Sequence, residues 1–285
     1  MLDVHVIDSE KPGPVFLVLG AIHGNEKCGT HAIARAVMEI RSGIFKLKKG
    51  KLVCAPICNP AAYQQDKRYI ETNLNRVITK QKKPRLYEEK LALAVTALID
   101  QADVMLDLHS YSSGKRPFLF IDNDTKEQHE FAAALRIPYW VTGWNALYEG
   151  QHHTLWSGDT TTYALSKKGR MGLLVECGMH DDPQSAVVGY NCIRAALAYY
   201  EMTDPYRMPR IEPPTVSRMK AMLVKEKEGR FLKDWQHLDP VSKGMPILRY
   251  DDGEIYSSPV DGVIMMPCKS TPIGEEWVYF GEEVA

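Results

Sequence analysis

Five short, continuous and predominantly apolar runs constrain this chain more than any other feature: residues 15–20, 52–57, 104–108, 118–121 and 172–177. Each is bounded by polar or turn residues. A strand with one wet face alternates apolar and polar side chains, whereas a continuous run reads as a strand buried on both faces. Between the runs lie segments of helical period: Ile33, Val37 and Ile40, then Leu91, Val95 and Leu98, and later Ile193, Leu197 and Tyr200 each draw one apolar helical stripe. Strand and helix in alternation predict an α/β fold, with a mostly parallel or mixed central sheet between two helical layers.

The alternation ends near residue 202. Prolines at 205, 209, 213 and 214 cannot continue a helix and favour an extended connector. Beyond them come short β-type runs punctuated by turn signals such as Asp251-Asp252-Gly253 and Asp261-Gly262. The expected organisation is therefore a main domain over 1–204, a Pro-rich linker over 205–214 and a small all-β domain over 215–285.

A formal net charge of −1 over 285 residues supplies no long-range attraction to nucleic acid or anionic lipid, so a small-molecule partner is expected. The N-terminal residues show neither the basic nor the apolar region of a secretory signal, and no apolar stretch reaches the roughly 18 residues of a membrane helix. The six cysteines lack C-x-x-C spacing, as reduced thiols do. A cytoplasmic location follows as the expectation, with no membrane or nucleic-acid partner; a homo-oligomer is compatible with the sequence.

The chemistry concentrates at strand ends. "GAIHGNE" places His23 and Glu26 directly after the run 15–20, "DLHS" places His109 after 104–108, and "VECG" places Glu176 at the end of 172–177. The His23–Glu26 spacing alone is weak evidence, but in open α/β sheets ligands collect outside the carboxyl ends of strands. Burying an ionisable group costs several kcal/mol unless something compensates it, and such groups stand at three equivalent ends. Two imidazoles and a carboxylate are the ligand set of catalytic zinc sites that keep a fourth position open; Glu176 is then left as a base. Asp107 reads either as an orienting partner of His109 or as an ordinary polar residue near the strand end. In "NPAAYQQDKRYIETNLNRV", Arg68, Asn75 and Arg76 make a receptor for a substrate carboxylate, and an arginine there can polarise a carbonyl.

"HGNE", "RYIETNLNR", "DLHS" and "VECG", in this order, resemble the succinylglutamate desuccinylase/aspartoacylase family of the zinc carboxypeptidase clan. The resemblance implies a zinc-peptidase-like αβα domain, one Zn2+ held by His23, Glu26 and His109, and Glu176 as general base and proton shuttle. It implies that Arg68 polarises the scissile carbonyl and that Asn75 and Arg76 hold a substrate carboxylate. It further implies that residues 215–285 cap the channel, and that the activity is hydrolysis of the amide of a small N-acylated amino acid or amine. Within "PCKSTPIGEEWVYFG", Tyr279 is the nearest equivalent of a substrate-binding tyrosine. "SSPVDGVIMMP" is similar to the hairpins of biotinyl and lipoyl domains, which implies a barrel-sandwich shape, but lacks their carrier lysine. Two positions depart from the family: Asn73 stands where Asp is usual, and Tyr163 where aspartoacylases carry a further arginine. His152, His153 and His180 read as polar loop residues or as lining of the pocket. Rival readings are a zinc carboxypeptidase acting on short peptides and a catalytically silent small-ligand binding protein.

Overall fold

The computed structural model describes residues 2–80, 82–121, 123, 125–149, 158–166 and 169–284. In chain order the main domain comprises β1 (His5–Asp8), β2 (Val15–Gly20), α1 (Cys28–Arg41), β3 (Lys51–Ala55), α2 (Pro60–Gln64), a single 3-10 turn (Leu74–Arg76), α3 (Tyr87–Ile99) and β4 (Val104–Tyr111). It continues with β5 (Phe118–Ile121), α4 (Lys126–Ala134), β6 (Tyr139–Thr142), α5 (Trp144–Glu149), α6 (Thr160–Leu165), β7 (Met171–Met179) and α7 (Pro183–Tyr199). Residues 201–214 form no helix or strand. Seven strands follow: β8 (Thr215–Val224), β9 (Gly229–Phe231), β10 (Pro240–Val241), β11 (Pro246–Tyr250), β12 (Ile255–Ser257), β13 (Gly262–Met265) and β14 (Glu276–Val284).

The alternation of strand side chains explains the layering. Along β2, Phe16 and Val18 enter a core shared with Ile33 and Val37 of α1 and Ile193 and Leu197 of α7. Leu17 and Leu19 enter the opposite core with Val95 and Ile99 of α3. Successive Cβ atoms point to opposite faces, so a strand apolar at every position serves both helical layers at once. The result is the expected αβα architecture, with antiparallel strands at the C-terminal end. Local chemistry sets the helix starts: Asp182 accepts from the Gln184 amide at 2.9 Å ahead of Pro183, and Asp159 accepts from the Thr162 amide at 2.8 Å at the head of α6. A cap of this kind contributes about 1 kcal/mol.

The large sheet runs β1-β3-β2-β4-β7-β5-β6-β8-β14-β13-β10. Its centre is parallel: β2 pairs with β3 and β4, and β4 with β7. The β5–β7 pairing is antiparallel, which makes the sheet mixed. The C-terminal strands do not stand apart. Residues 215–218 of β8 run parallel to 139–142 of β6, and β14 pairs antiparallel with β8, so one sheet crosses the whole chain. β9, β11 and β12 form a second, three-stranded sheet.

Candidate metal centre

Three parallel strands deliver the site. β2 ends in the loop carrying His23 and Glu26, while His109 on β4 and Glu176 on β7 stand opposite one another in register. The loop after β2 is pinned by two features. The Gly24 amide donates to the Arg68 carbonyl at 3.2 Å, and a Cβ at Gly24 would lie 2.1 Å from the Ala62 carbonyl carbon. Only glycine lets the loop lie flat on α2.

His23, Glu26 and His109 are all buried, and one ligand atom from each lies within 4.8 Å of the others. His23 Nδ1 is 2.7 Å from Glu26 Oε1, and His109 Nδ1 is 2.8 Å from Glu26 Oε2. The far nitrogens identify the tautomers. Asn73 Oδ1 already accepts from the Asn75 amide at 3.0 Å, so it is the oxygen of that amide; His23 Nε2, 3.0 Å away, must donate to it. Likewise His109 Nε2 donates to Asp107 Oδ2 at 2.9 Å, and the Thr160 hydroxyl donates to the same oxygen. Neutral imidazoles so oriented aim their Nδ1 lone pairs at the Glu26 carboxylate. Acceptors facing acceptors at hydrogen-bond distance need a proton or a cation between them.

The electrostatics favour the cation at His23. Burial, assisted by the Arg68 charge, lowers its pKa to about 4, so it is neutral at pH 7. Burial alone would also lower His109, but Asp107 and Glu26 outweigh it and hold its pKa well above the usual histidine range. Burial would raise Glu26; the two histidines outweigh that and keep it ionised. Two nitrogens and a carboxylate oxygen, each histidine anchored through its other nitrogen, are what a zinc site requires of its ligands and their supports. The donor set fits the metal.

Glu176 stands beside this centre with a different environment. Its Oε2 is buried and has no hydrogen-bond partner among the described residues. Burial, followed by repulsion from Glu26, raises its pKa to about 8. Arg68 reaches across the rim, its Nη1 3.0 Å from Glu26 Oε1 and 3.3 Å from His23 Nδ1. The 69–73 segment behind it is tied down by Glu88 of α3, a fully buried carboxylate that accepts from the amides of Ile70, Glu71 and Thr72 and from the Asn59 side chain.

His23, Glu26, Arg68, His109 and Glu176 line a cavity of about 500 Å³ that also reaches Trp144, Phe120, Glu275, Glu276 and Tyr279. Asn75, Arg76 and Tyr279 all line it, but Arg76 is not an open receptor. Its Nε donates to Glu276 Oε1 at 2.9 Å, and both side chains are buried. The sequence reading missed Glu276, along with Tyr148 and Glu88, because their partners lie 200, 72 and about 17 residues away, beyond any local pattern. Asp107, left open by the sequence, partners His109. Asn73, where the family usually has Asp, still supplies the oxygen that orients His23. Tyr163 does not line the cavity; its hydroxyl donates to Asp100 at 3.1 Å. His180 does line it, and its Nδ1 is 2.8 Å from the Ser110 hydroxyl. His152 and His153 lie outside the described residues.

Among the described residues no helix is long and apolar enough to cross a membrane. Residues 12–186 match the profile of the succinylglutamate desuccinylase/aspartoacylase catalytic domain. An aspartoacylase from Danio rerio is 33% identical over 121 residues, a match spanning 38% of this chain and 37% of that relative. Among solved structures, the product-bound ectoine utilization protein EutE (DoeB) from Ruegeria pomeroyi superposes with a TM-score of 0.77 at 21% identity, covering 99% of this chain and 89% of the other. A succinylglutamate desuccinylase/aspartoacylase from Rhodobacter sphaeroides gives 0.78 at 17% identity, covering 100% and 89%. With the profile matched over more than half of its length, the chain belongs to the succinylglutamate desuccinylase/aspartoacylase family.

Proposed function

We propose that this protein hydrolyses the amide bond of a small N-acylated amino acid or amine, releasing a carboxylate and a free amine, with one zinc ion held by His23, Glu26 and His109. The observation that carries the reading is the convergence of two buried imidazoles, each anchored through its Nε2, on the Glu26 carboxylate through their Nδ1 atoms, beside a buried carboxyl whose pKa is raised to about 8. When bound, zinc in such a site polarises a carbonyl and lowers the pKa of water toward about 7.

The chain's own residues divide the remaining work. Glu176 takes a proton from the attacking water and returns it to the leaving nitrogen. A carboxyl with its pKa raised toward neutrality both accepts and releases a proton readily, as a shuttle must. Arg68, whose side chain is 39% exposed and lines the cavity, turns a guanidinium N–H toward the oxygen that gains charge as the carbonyl is attacked. Losing one such donor typically costs on the order of 10²- to 10³-fold in rate. Asn75, Arg76 and Tyr279 position the amine part of the substrate. The cavity's size suits a compact substrate, and the C-terminal strand β14 supplies part of its wall, as a cap over 215–285 would.

The test is Glu176→Gln. The variant should retain one zinc per chain by elemental analysis and lose turnover of N-acyl amino acids by at least about 10³-fold. Hydrolysis at the parental rate would remove Glu176 from the mechanism. Faster cleavage of short peptides than of N-acyl compounds would favour a carboxypeptidase, and protein that takes up no divalent metal would favour a silent binder.

A further inference from the structure

Among the described residues, His180 is the imidazole on the cavity wall that the hydrolysis leaves without a task. A bulge brings it there. β4 advances two residues from His109 to Tyr111 while β7 advances three from Glu176 to Met179, and Gly178, in the extra step, takes a φ of 130°, which favours glycine. Bulges beside active sites re-aim side chains. The His180 amide donates to the Tyr111 carbonyl at 3.1 Å, and its ring Nδ1 lies 2.8 Å from the Ser110 hydroxyl oxygen. Ser110 also touches the metal centre, its amide donating to Glu26 Oε2 at 3.2 Å. The direction of the ring contact follows from Ser110. That residue is 1% exposed, and among the described residues its hydroxyl hydrogen has no acceptor besides His180. A buried hydroxyl donates where it can, so Nδ1 accepts and the His180 proton sits on Nε2. Burial lowers the His180 pKa against the pull of Glu26, which keeps the ring neutral. The cavity wall therefore carries an N–H that no described residue accepts.

Hydrogen bonds join Arg76, Tyr148 and Tyr279 on another wall. His180 instead feels the charges of Glu26, Arg68, Asp181 and Asp66, whereas Tyr279 feels Glu276 and Arg76 ahead of Arg68. The metal centre lies between the two. With the amine part placed by Asn75, Arg76 and Tyr279, the acyl part faces His180. We propose that the Nε2–H of His180, held in that tautomer by Ser110, is a specificity donor for the acyl group, so that the enzyme favours acyl groups carrying a hydroxyl or carbonyl oxygen over alkyl groups of the same size. A single neutral donor suits an uncharged oxygen, and a hydrogen bond of this kind corresponds to a preference of about tenfold. The inference names the acyl class within the deacylase reading and rests on it.

The experiment uses isosteric pairs built on one amino acid, the one whose N-acetyl derivative binds zinc-loaded Glu176→Gln protein most tightly: N-glycolyl against N-propionyl, and N-(3-hydroxypropionyl) against N-butyryl. In the wild type at least one hydroxyacyl compound should exceed its alkyl partner in kcat/KM by about tenfold. His180→Phe keeps a ring and removes the donor, and should bring that ratio to within about twofold of unity. Ser110→Ala keeps the amide on Glu26 but releases the tautomer, and should shrink the ratio less. Long-range 1H–15N spectra of the wild type should place the His180 proton on Nε2. Calorimetric binding of the same pairs to Glu176→Gln protein, with and without His180→Phe, ranks them without turnover, so absent hydrolysis with the ranking intact would remove the deacylase reading alone. No preference in either pair, a preference that survives His180→Phe, a proton found on Nδ1, or failure to bind any of the four compounds would overturn the proposal. So would His180→Phe lowering both members of a pair equally, which marks a merely structural residue.

Discussion

At the scale of single residues, the site is a set of ionisable groups whose neighbours push them apart. Glu26 and Glu176 are both buried carboxylates, yet histidines hold the first ionised while burial and Glu26 itself raise the second to about 8. The sign of the consequence follows. Between about pH 4.5 and 8 the unfolded chain releases the Glu176 proton while the folded, metal-free protein retains it, so this group's contribution to stability is present in acid and lost as pH rises. Glu176→Gln in chelator-treated protein should therefore leave the melting temperature near that of wild type at pH 4 and raise it by roughly 5 °C at pH 8. A difference independent of pH would contradict the environment described. Asp107 accepts from His109 Nε2 and, on the proposed zinc reading, would orient that ligand: Asp107→Asn can present an N–H to the imidazole in place of an acceptor, and zinc affinity should fall about 10- to 100-fold, measured by competition with a chromophoric chelator. An unchanged affinity would show that the His109 orientation does not depend on it.

At the scale of elements, parallel strands bring side chains from distant parts of the chain to one rim, and glycine lets their loops approach. Gly24→Ala would place a methyl group on the α2 backbone. The loop must lift, so the variant should lose about 1–3 kcal/mol of stability and bind zinc more weakly; wild-type denaturation and affinity would contradict the close packing. The same elements show what a sequence can disclose. The runs behind β2, β4, β5 and β7 were legible because strands buried on both faces are apolar at nearly every position, and the few chemical residues toward their ends, such as His109 and Glu176, stood out against that background. β1 and β6 were not. β1 is a four-residue edge strand alternating half-buried and exposed positions, and β6 is a four-residue stretch between loops, so neither accumulates enough pattern to be read. The convergence of His23, Glu26 and His109 was legible for a similar reason, whereas Glu88 and Glu276 act on residues whose nearness only the fold creates.

At the scale of the whole molecule, the strands after residue 214 extend the main sheet and also complete the cavity. β8 aligns with β6, β14 lies on β8, and β14 begins with the glutamate that engages Arg76 from across the sheet. His109 of β4, Glu176 of β7, and Glu276 and Tyr279 of β14 thus face one cavity, and the shared sheet fixes their relative positions. All of this presumes a metal at Glu26. The most direct measurement is a crystal of the protein loaded with one equivalent of zinc, with diffraction collected on both sides of the zinc absorption edge. The account predicts a single anomalous peak per chain, bonded to Nδ1 of His23, Nδ1 of His109 and the Glu26 carboxylate at about 2.0–2.2 Å. A peak elsewhere, or none while Glu26 still bridges the two imidazoles, would contradict it.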